Sequence, residues 1–291
     1  MRRGTLYVVA TPLGHLGDLT ARAAELLRSV PVVAAEDTRR SRTLLTHLGS
    51  SRPRLMSFHA HSGAGAAAGI LRALADGDDV ALVTDAGTPG ISDPGAALVA
   101  QVRAAGFSVV PLPGPSAVTT ALSAAGLPAD RYLFLGFLPR KGAERARLLA
   151  RAGAEEWTTV LFESPGRLGA LLADLVEVAG PGRRAVVARE LTKLHEEVTA
   201  GTLAELAERY SGEPAAVRGE CTVVIAGRPP SVEPANGDQA GPAAERLLAA
   251  GISRKEIAGL LSEWFGLTRN DAYRVAGSSE ERIAKRENGE P

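Results

Sequence analysis

Residues 80–95, VALVTDAGTPGISDPG, constrain the fold more than any other stretch of this 291-residue chain. Val80 to Thr84 is an apolar, β-rich run of the kind that fills a strand covered on both faces. The run breaks at Asp85-Ala86-Gly87-Thr88-Pro89-Gly90, and Ser92-Asp93-Pro94-Gly95 forms a second turn. Glycine and proline at that density extend neither a strand nor a helix. Asp93 as N-cap and Pro94 after it predict a helix carried by 96–105. A buried strand that ends in bare backbone before a helix is where open α/β sheets bind ligands. It is equally a plain βα connection with tight-turn chemistry.

The same alternation runs along the first third of the chain. Strands are predicted at 5–10, 31–35, 55–58, 80–84 and 108–112. Helices are predicted at 20–29, at 38–48 with Thr38 or Ser41 as cap, around 69–75, and at 96–105. This order predicts an α/β fold with a mostly parallel sheet covered on both faces. Pro111-Leu112-Pro113-Gly114-Pro115 then punctuates the chain, and a domain boundary is placed after 113. A second alternation follows, with strands at 132–137, 158–162, 184–189 and 221–226, an extra one near 196–200, and helices at 144–152, 167–178 and 203–210. The expected organisation is two α/β domains, 1–113 and 114–228, and a Pro/Gly-rich linker at 229–241. A helix-turn-helix-like module at 242–277 and a fraying charged tail at 278–291 complete it. In the module Ser253-Arg254-Lys255-Glu256 is a capping box, and Gly266 separates two helices.

Composition removes several function classes. Thirty-three basic and 33 acidic residues cancel, so a nucleic-acid partner requires a local basic patch. Cys221 is the only cysteine, which excludes an intramolecular disulfide and suits a reducing, cytoplasmic setting. Within an apolar strand its thiol is expected to be inert. No apolar run is long enough to span a membrane. Gly14-His15-Leu16-Gly17-Asp18 is neither a GxGxxG fingerprint nor a phosphate-cradling P-loop. His59 and His61 lack a completing ligand set, so no metal is expected. Ser164 is not flanked as a nucleophile elbow requires. Two basic clusters remain, Arg140-Lys141 with Arg145 and Arg147, and Arg39-Arg40-Ser41-Arg42. The second follows a strand end that carries Glu36 and Asp37, which is better placed for substrate contact than an ordinary surface cluster.

Several motifs in one order resemble a known family. They are Ala10-Thr11-Pro12-Leu13-Gly14, Gly17-Asp18-Leu19-Thr20, Ala35-Glu36-Asp37-Thr38-Arg39 and the run from Thr84 to Gly95. Pro113-Gly114-Pro115-Ser116-Ala117, Gly136-Phe137-Leu138-Pro139-Arg140-Lys141, Phe162-Glu163-Ser164-Pro165 and Arg189-Glu190-Leu191-Thr192-Lys193 extend the match. Together they resemble the tetrapyrrole-methylase-like S-adenosylmethionine-dependent methyltransferases, and among these the type acting on small-subunit ribosomal RNA.

The resemblance implies two α/β domains with S-adenosylmethionine in a cleft between them, and a homodimer. It implies 2′-O-methylation of a cytidine ribose in 16S ribosomal RNA, within the small subunit. Cofactor contacts are expected from Pro12, Leu13, Gly14, Asp85, Gly87, Thr88, Ile91, Ser92, Ser116 and Ala117. Methyl transfer needs the hydroxyl oxygen in line behind the methyl group, and a carboxylate can take the proton as the bond forms. Asp37, Glu36 and Asp85, each just after a strand, are candidates for that role, with Arg39 beside them. RNA contacts are expected from Arg140, Lys141, Arg145, Arg254 and Lys255. Two rivals stand beside this reading: a tetrapyrrole C-methyltransferase acting on a uroporphyrinogen- or precorrin-like ring, and a non-catalytic RNA-binding assembly protein. The helical module and the basic clusters favour an RNA substrate over a tetrapyrrole.

Overall fold

The computed structural model describes residues 3–59, 62–212, 219–229 and 237–287. The first half is a five-stranded sheet of β1 (Thr5–Val9), β2 (Val32–Ala35), β3 (Arg54–Ser57), β4 (Val80–Val83) and β5 (Ser108–Leu112). The order is β3-β2-β4-β1-β5 and every pair is parallel. The apolar runs are continuous because both faces are covered. Leu6, Val32, Ala34, Val80 and Leu82 pack with residues of α3 (Ala64–Ala75) and α4 (Ala96–Ala104). Val9, Val33, Ala35, Ala81 and Val83 pack on the other side with α1 (Ala21–Ser29) and α2 (Thr38–His47). A parallel sheet sends all its strand ends to one edge, so the loops after β1, β2, β4 and β5 meet there.

Two helix starts differ from the sequence reading. The cap of α2 is Asp37, whose side chain accepts from the Arg39 N–H, not Thr38 or Ser41. Helix α4 begins at Ala96, and Asp93 and Pro94 belong to the preceding loop. Its N-cap is Gly95 at φ 147°. There a Cβ would sit 3.2 Å from Leu82 and 3.3 Å from the Gly90 nitrogen. That close approach folds residues 90–95 into a tight turn and leaves the Asp93 carboxyl outside the helix.

The second sheet contains β6 (Tyr132–Phe137), β7 (Thr158–Glu163), β8 (Arg184–Arg189), β9 (Glu197–Thr202) and β10 (Cys221–Ile225), ordered β6-β7-β10-β8-β9. Only β6 and β7 are parallel; β10 runs antiparallel to both of its neighbours, and β9 is antiparallel to β8. One face is covered by α6 (Ala143–Ala154), α7 (Leu168–Ala179) and α8 (Leu203–Arg209). Leu168, Leu171, Leu172 and Leu175 of α7 are fully buried there, worth roughly 1.5–3 kcal/mol each. The other face is covered by α5 (Ala117–Ala125), through Val118, Ala121, Leu122 and Ala125. Both sheets lie in one compact unit, 1–228.

The described residues of the second unit, 229–291, form α9 (Gly237–Ala249), α10 (Arg254–Phe265) and α11 (Arg269–Glu287). The predicted linker and tail are both partly helical. Ala240 and Ala244 are fully buried with Ile257 and Leu261, which outweighs the N–H that Pro242 lacks inside α9. Helix α11 does not stop at Gly277, because Ser279 is buried and its hydroxyl donates to the Gly241 carbonyl at 3.4 Å. Gly277 instead makes room for Arg254, whose guanidinium lies 2.2 Å from where a Cβ would be.

Candidate functional site

The loops at the first sheet's edge are tied into one surface. Thr11 and Gly87 exchange backbone hydrogen bonds at 2.9 and 3.0 Å. The Thr11 hydroxyl donates to the Thr84 carbonyl at 3.1 Å, and the Thr88 hydroxyl to the Pro115 carbonyl at 3.0 Å. The loop after β8 joins from the second half, where the His15 N–H donates to Thr192 Oγ1 at 3.1 Å. Gly14 touches Lys193 of that loop.

Between the two sheets this surface forms an open cleft of about 130 Å³. Of the expected cofactor residues, Leu13, Gly87, Thr88, Ile91, Ser92, Ser116 and Ala117 line it. Pro12, Gly14 and Asp85 line a neighbouring recess with Arg40 and Thr84. The second half contributes Phe137, Phe162, Glu220, Cys221 and Thr222, and the first adds Asp93. None of these six was expected from the sequence. Phe137 ends β6 and Phe162 lies one residue before the end of the parallel β7, so a strand-end argument extends to them. Cys221 and Thr222 reach the cleft because β10 is antiparallel, which sets its beginning beside the ends of β7 and β8: Cys221 pairs with Glu163 and Arg189.

Gly136 is the other determinant of this wall. It sits at a bulge in β6 with φ 63°, and a Cβ there would lie 2.6 Å from Ser92 Oγ. The bulge brings β6 against the Ser92 turn and leaves Phe137 half exposed at the cleft, tilted on Phe162 at 5.5 Å. Cys221 is buried, and burial pushes its thiol up to about 11, which makes it inert as expected.

The acidic and basic residues after β2 and β4 form a network. The Asp37 N–H donates to Asp85 Oδ1 at 3.1 Å, and Arg40 pairs with Asp85 at 3.3 Å. The Asp85 N–H donates to Glu36 Oε2 at 3.4 Å. Arg39 grips Asp37 through Nε at 3.1 Å and Nη2 at 2.8 Å. Those bonds hold the Asp37 carboxyl down at about 2. A carboxylate held so acidic accepts a proton weakly in this state, and Asp37 here caps α2 with Arg39 as its partner. Asp93 behaves oppositely. Burial pushes its carboxyl up to about 7; the charge of Glu36 adds to this, Thr84 opposes it, and Asp85 and Glu220 add smaller pushes. The Thr84 hydroxyl is buried beside it with no partner in hydrogen-bonding geometry.

Of the expected RNA contacts, Arg140 and Lys141 are exposed on the loop after β6 and make no ion pair among the described residues. Arg145 is a correction. Its guanidinium is mostly buried, paired with Asp174, and donates to the Pro139 carbonyl at 3.1 Å. Arg145 therefore fastens the loop that carries Arg140 and Lys141 and is not itself free for a phosphate. Arg254 donates to the Tyr273 carbonyl at 3.2 Å inside the second unit, whereas Lys255 is exposed. His61 lies outside the described residues, and no metal-binding cluster occurs among the described ones. No described helix is long and apolar enough to cross a membrane.

The cleft's chemistry is selective. It is lined by two carboxylates, three hydroxyl-bearing turns and two aromatic rings, with no lysine or arginine. It disfavours a phosphate and suits a ligand that carries positive charge beside a ring that stacks. A sulfonium attached to a nucleoside meets those terms. Gly87, Thr88, Ile91, Ser92, Ser116 and Ala117 would hold such a group.

Comparison with known proteins gives the same direction. Residues 5–207 match the family model of Tetrapyrrole (Corrin/Porphyrin) Methylases. The chain is 45% identical to the Ribosomal RNA small subunit methyltransferase I of Pseudomonas aeruginosa, over 95% of this chain and 98% of that one. It is 42% identical to the Escherichia coli O157:H7 protein of the same name, over 94% and 95%. Among solved structures it resembles uroporphyrin-III C-methyltransferase from Thermus thermophilus in complex with S-adenosylhomocysteine. The TM-score there is 0.55 at 20% identity, covering 77% of this chain and 97% of that one. Cobalt precorrin-4 methyltransferase aligns with TM-score 0.59 at 18% identity, covering 76% and 94%. At those identities the two structures speak for the fold alone.

Proposed function

The chain belongs to the tetrapyrrole methylase family and, within it, to the ribosomal RNA small subunit methyltransferase I proteins, and from that membership we propose that it methylates the 2′-hydroxyl of a cytidine in 16S ribosomal RNA held in the small subunit. It is a methyltransferase that draws its methyl group from S-adenosylmethionine and acts on ribosomal RNA. The observation that carries the finer reading is the cleft itself. It is cation-free and lined by carboxylates and aromatic rings, and Arg140 and Lys141, without an ion pair among the described residues, follow shortly after its Phe137 wall. The donor supplies an electrophilic methyl group. The protein supplies position, since in-line displacement depends on alignment above all. A homodimer working in the cytoplasm is part of the same proposal.

The assembled subunit is favoured over free RNA because a chain of zero formal charge has little nonspecific affinity for a polyanion. Incubation with labelled donor and three acceptors tests this: small subunits, free 16S RNA and a uroporphyrinoid. Label is expected in the subunits. Label confined to the uroporphyrinoid overturns the proposal. Within it, Arg140→Ala with Lys141→Ala is expected to weaken subunit binding and flatten its salt dependence, each lost phosphate contact removing about one unit of slope. An unchanged slope in filter-binding titrations would place the RNA elsewhere.

A further inference from the structure

We propose that Asp93 is the group that accepts the proton of the substrate hydroxyl during methyl transfer. The inference rests on the rRNA-methyltransferase reading above and adds a residue to it. Three observations carry it. Asp93 lines the cleft beside Ser92 and Ile91, in the turn that Gly90 and Gly95 make possible. Unlike Asp37 and Asp85 it is in no ion pair among the described residues, and unlike Glu36 it lines the cleft. It is partly buried but reaches the cleft, so a proton taken there has a route to solvent. As the oxygen–carbon bond forms, the carbon–sulfur bond breaks with its electron pair staying on sulfur. The hydroxyl proton then passes to an Asp93 oxygen and on to water.

Every group that faces Asp93 acts on its proton affinity. Glu36 stands at the end of β2, Asp85 and Thr84 after β4, and Glu220 before β10. Arg40 partly neutralises Asp85, and Lys193 pairs with Glu220 at 3.2 Å. Burial first, and then its acidic neighbours, keep the carboxyl near neutrality, where a general base is most effective. The sign follows directly: the base is competent when ionised, so turnover should rise with pH through about 7. Because the folded pKa lies above the unfolded value, the ionised carboxyl opposes folding at higher pH.

The test combines wild type and Asp93→Asn. Wild-type single-turnover rates are expected to rise with pH to a plateau, with a midpoint near 7. Asp93→Asn is expected to lower kcat by about 10²-fold at saturating donor and to remove that rise. Its Tm should exceed that of wild type at pH 8, and the gap should close as the pH falls toward 4, a readout independent of activity. A variant that turns over within threefold of wild type, or a wild-type rate flat across this range, overturns the assignment. Wild type that methylates no ribosomal RNA overturns the underlying reading instead, and the Tm pattern separates the two failures.

Discussion

Gly87→Val is expected to abolish binding of the methyl donor while the protein stays folded. Gly87 has φ 81°, and both its N–H and its C=O are bonded to Thr11. The backbone therefore cannot relax to a negative φ without breaking the bridge that joins the loops after β1 and β4. Space is not the first obstacle. A Cβ would meet Leu13 at 3.4 Å and the Pro115 carbonyl at 3.9 Å, both ordinary contacts. The penalty comes from conformation, about 1–2 kcal/mol for a left-handed residue with a Cβ, and more for a branched one. A protein of ordinary stability survives that. The cleft does not, because Gly87 is part of its wall and a valine side chain there would start beside Leu13, which lines the same cleft. Calorimetry should report no binding heat with a nearly unchanged melting profile. Unchanged affinity in the folded variant would move the donor out of this cleft.

Arg167→Met is expected to cause the largest loss of stability. Glu163 ends β7 and is only 1% exposed. Its Oε1 accepts from Ser164 N at 2.6 Å, Ser164 Oγ at 3.1 Å and Arg167 Nε at 2.7 Å, while Oε2 has no partner. Arg167 is the one cation paired with this carboxylate among the described residues, and it also donates to the Leu138 carbonyl at 3.4 Å. Removing it strands a buried charge, a change that costs about 3–5 kcal/mol. Urea titration should show that loss, and adding Glu163→Gln should restore a large part of it. A loss below about 1 kcal/mol would mean that water reaches Glu163. The loop 138–142 is held by Arg167 and Arg145 together, so the variant should also weaken subunit binding.

Much of this fold is legible in the chain because parallel βα units repeat a strong local pattern. Runs such as Val32-Val33-Ala34-Ala35 and Val80-Ala81-Leu82-Val83 are uniformly apolar because helices cover both faces, and each ends in a polar loop. That pattern points to the loop after β4, and the family resemblance adds the others; seven of the residues so named line the cleft. What escaped was set by long-range geometry. The direction of β10 depends on how the chain returns from α8, and no residue of Cys221-Thr222-Val223-Val224-Ile225 encodes it. Gly136 reads as an unremarkable strand glycine until its closeness to Ser92 is seen. Gly277 reads as a helix stop, yet it is a passage for Arg254. Asp93 reads as a helix cap, and only the folded turn shows a carboxyl among three acidic neighbours. Asp37 shows the converse: the sequence offers it as a candidate base, and the fold adds that it caps α2 and is paired with Arg39.

The most direct measurement follows the methyl group to its atom. RNA recovered from small subunits after transfer from labelled donor is hydrolysed in alkali, which cleaves each linkage through its own free 2′-hydroxyl. A methyl group on that hydroxyl blocks the cut. The label is predicted in an alkali-resistant dinucleotide whose 5′ residue is cytidine, in wild type but not in Gly87→Val. Label released in mononucleotides, as base methylation would give, contradicts the account.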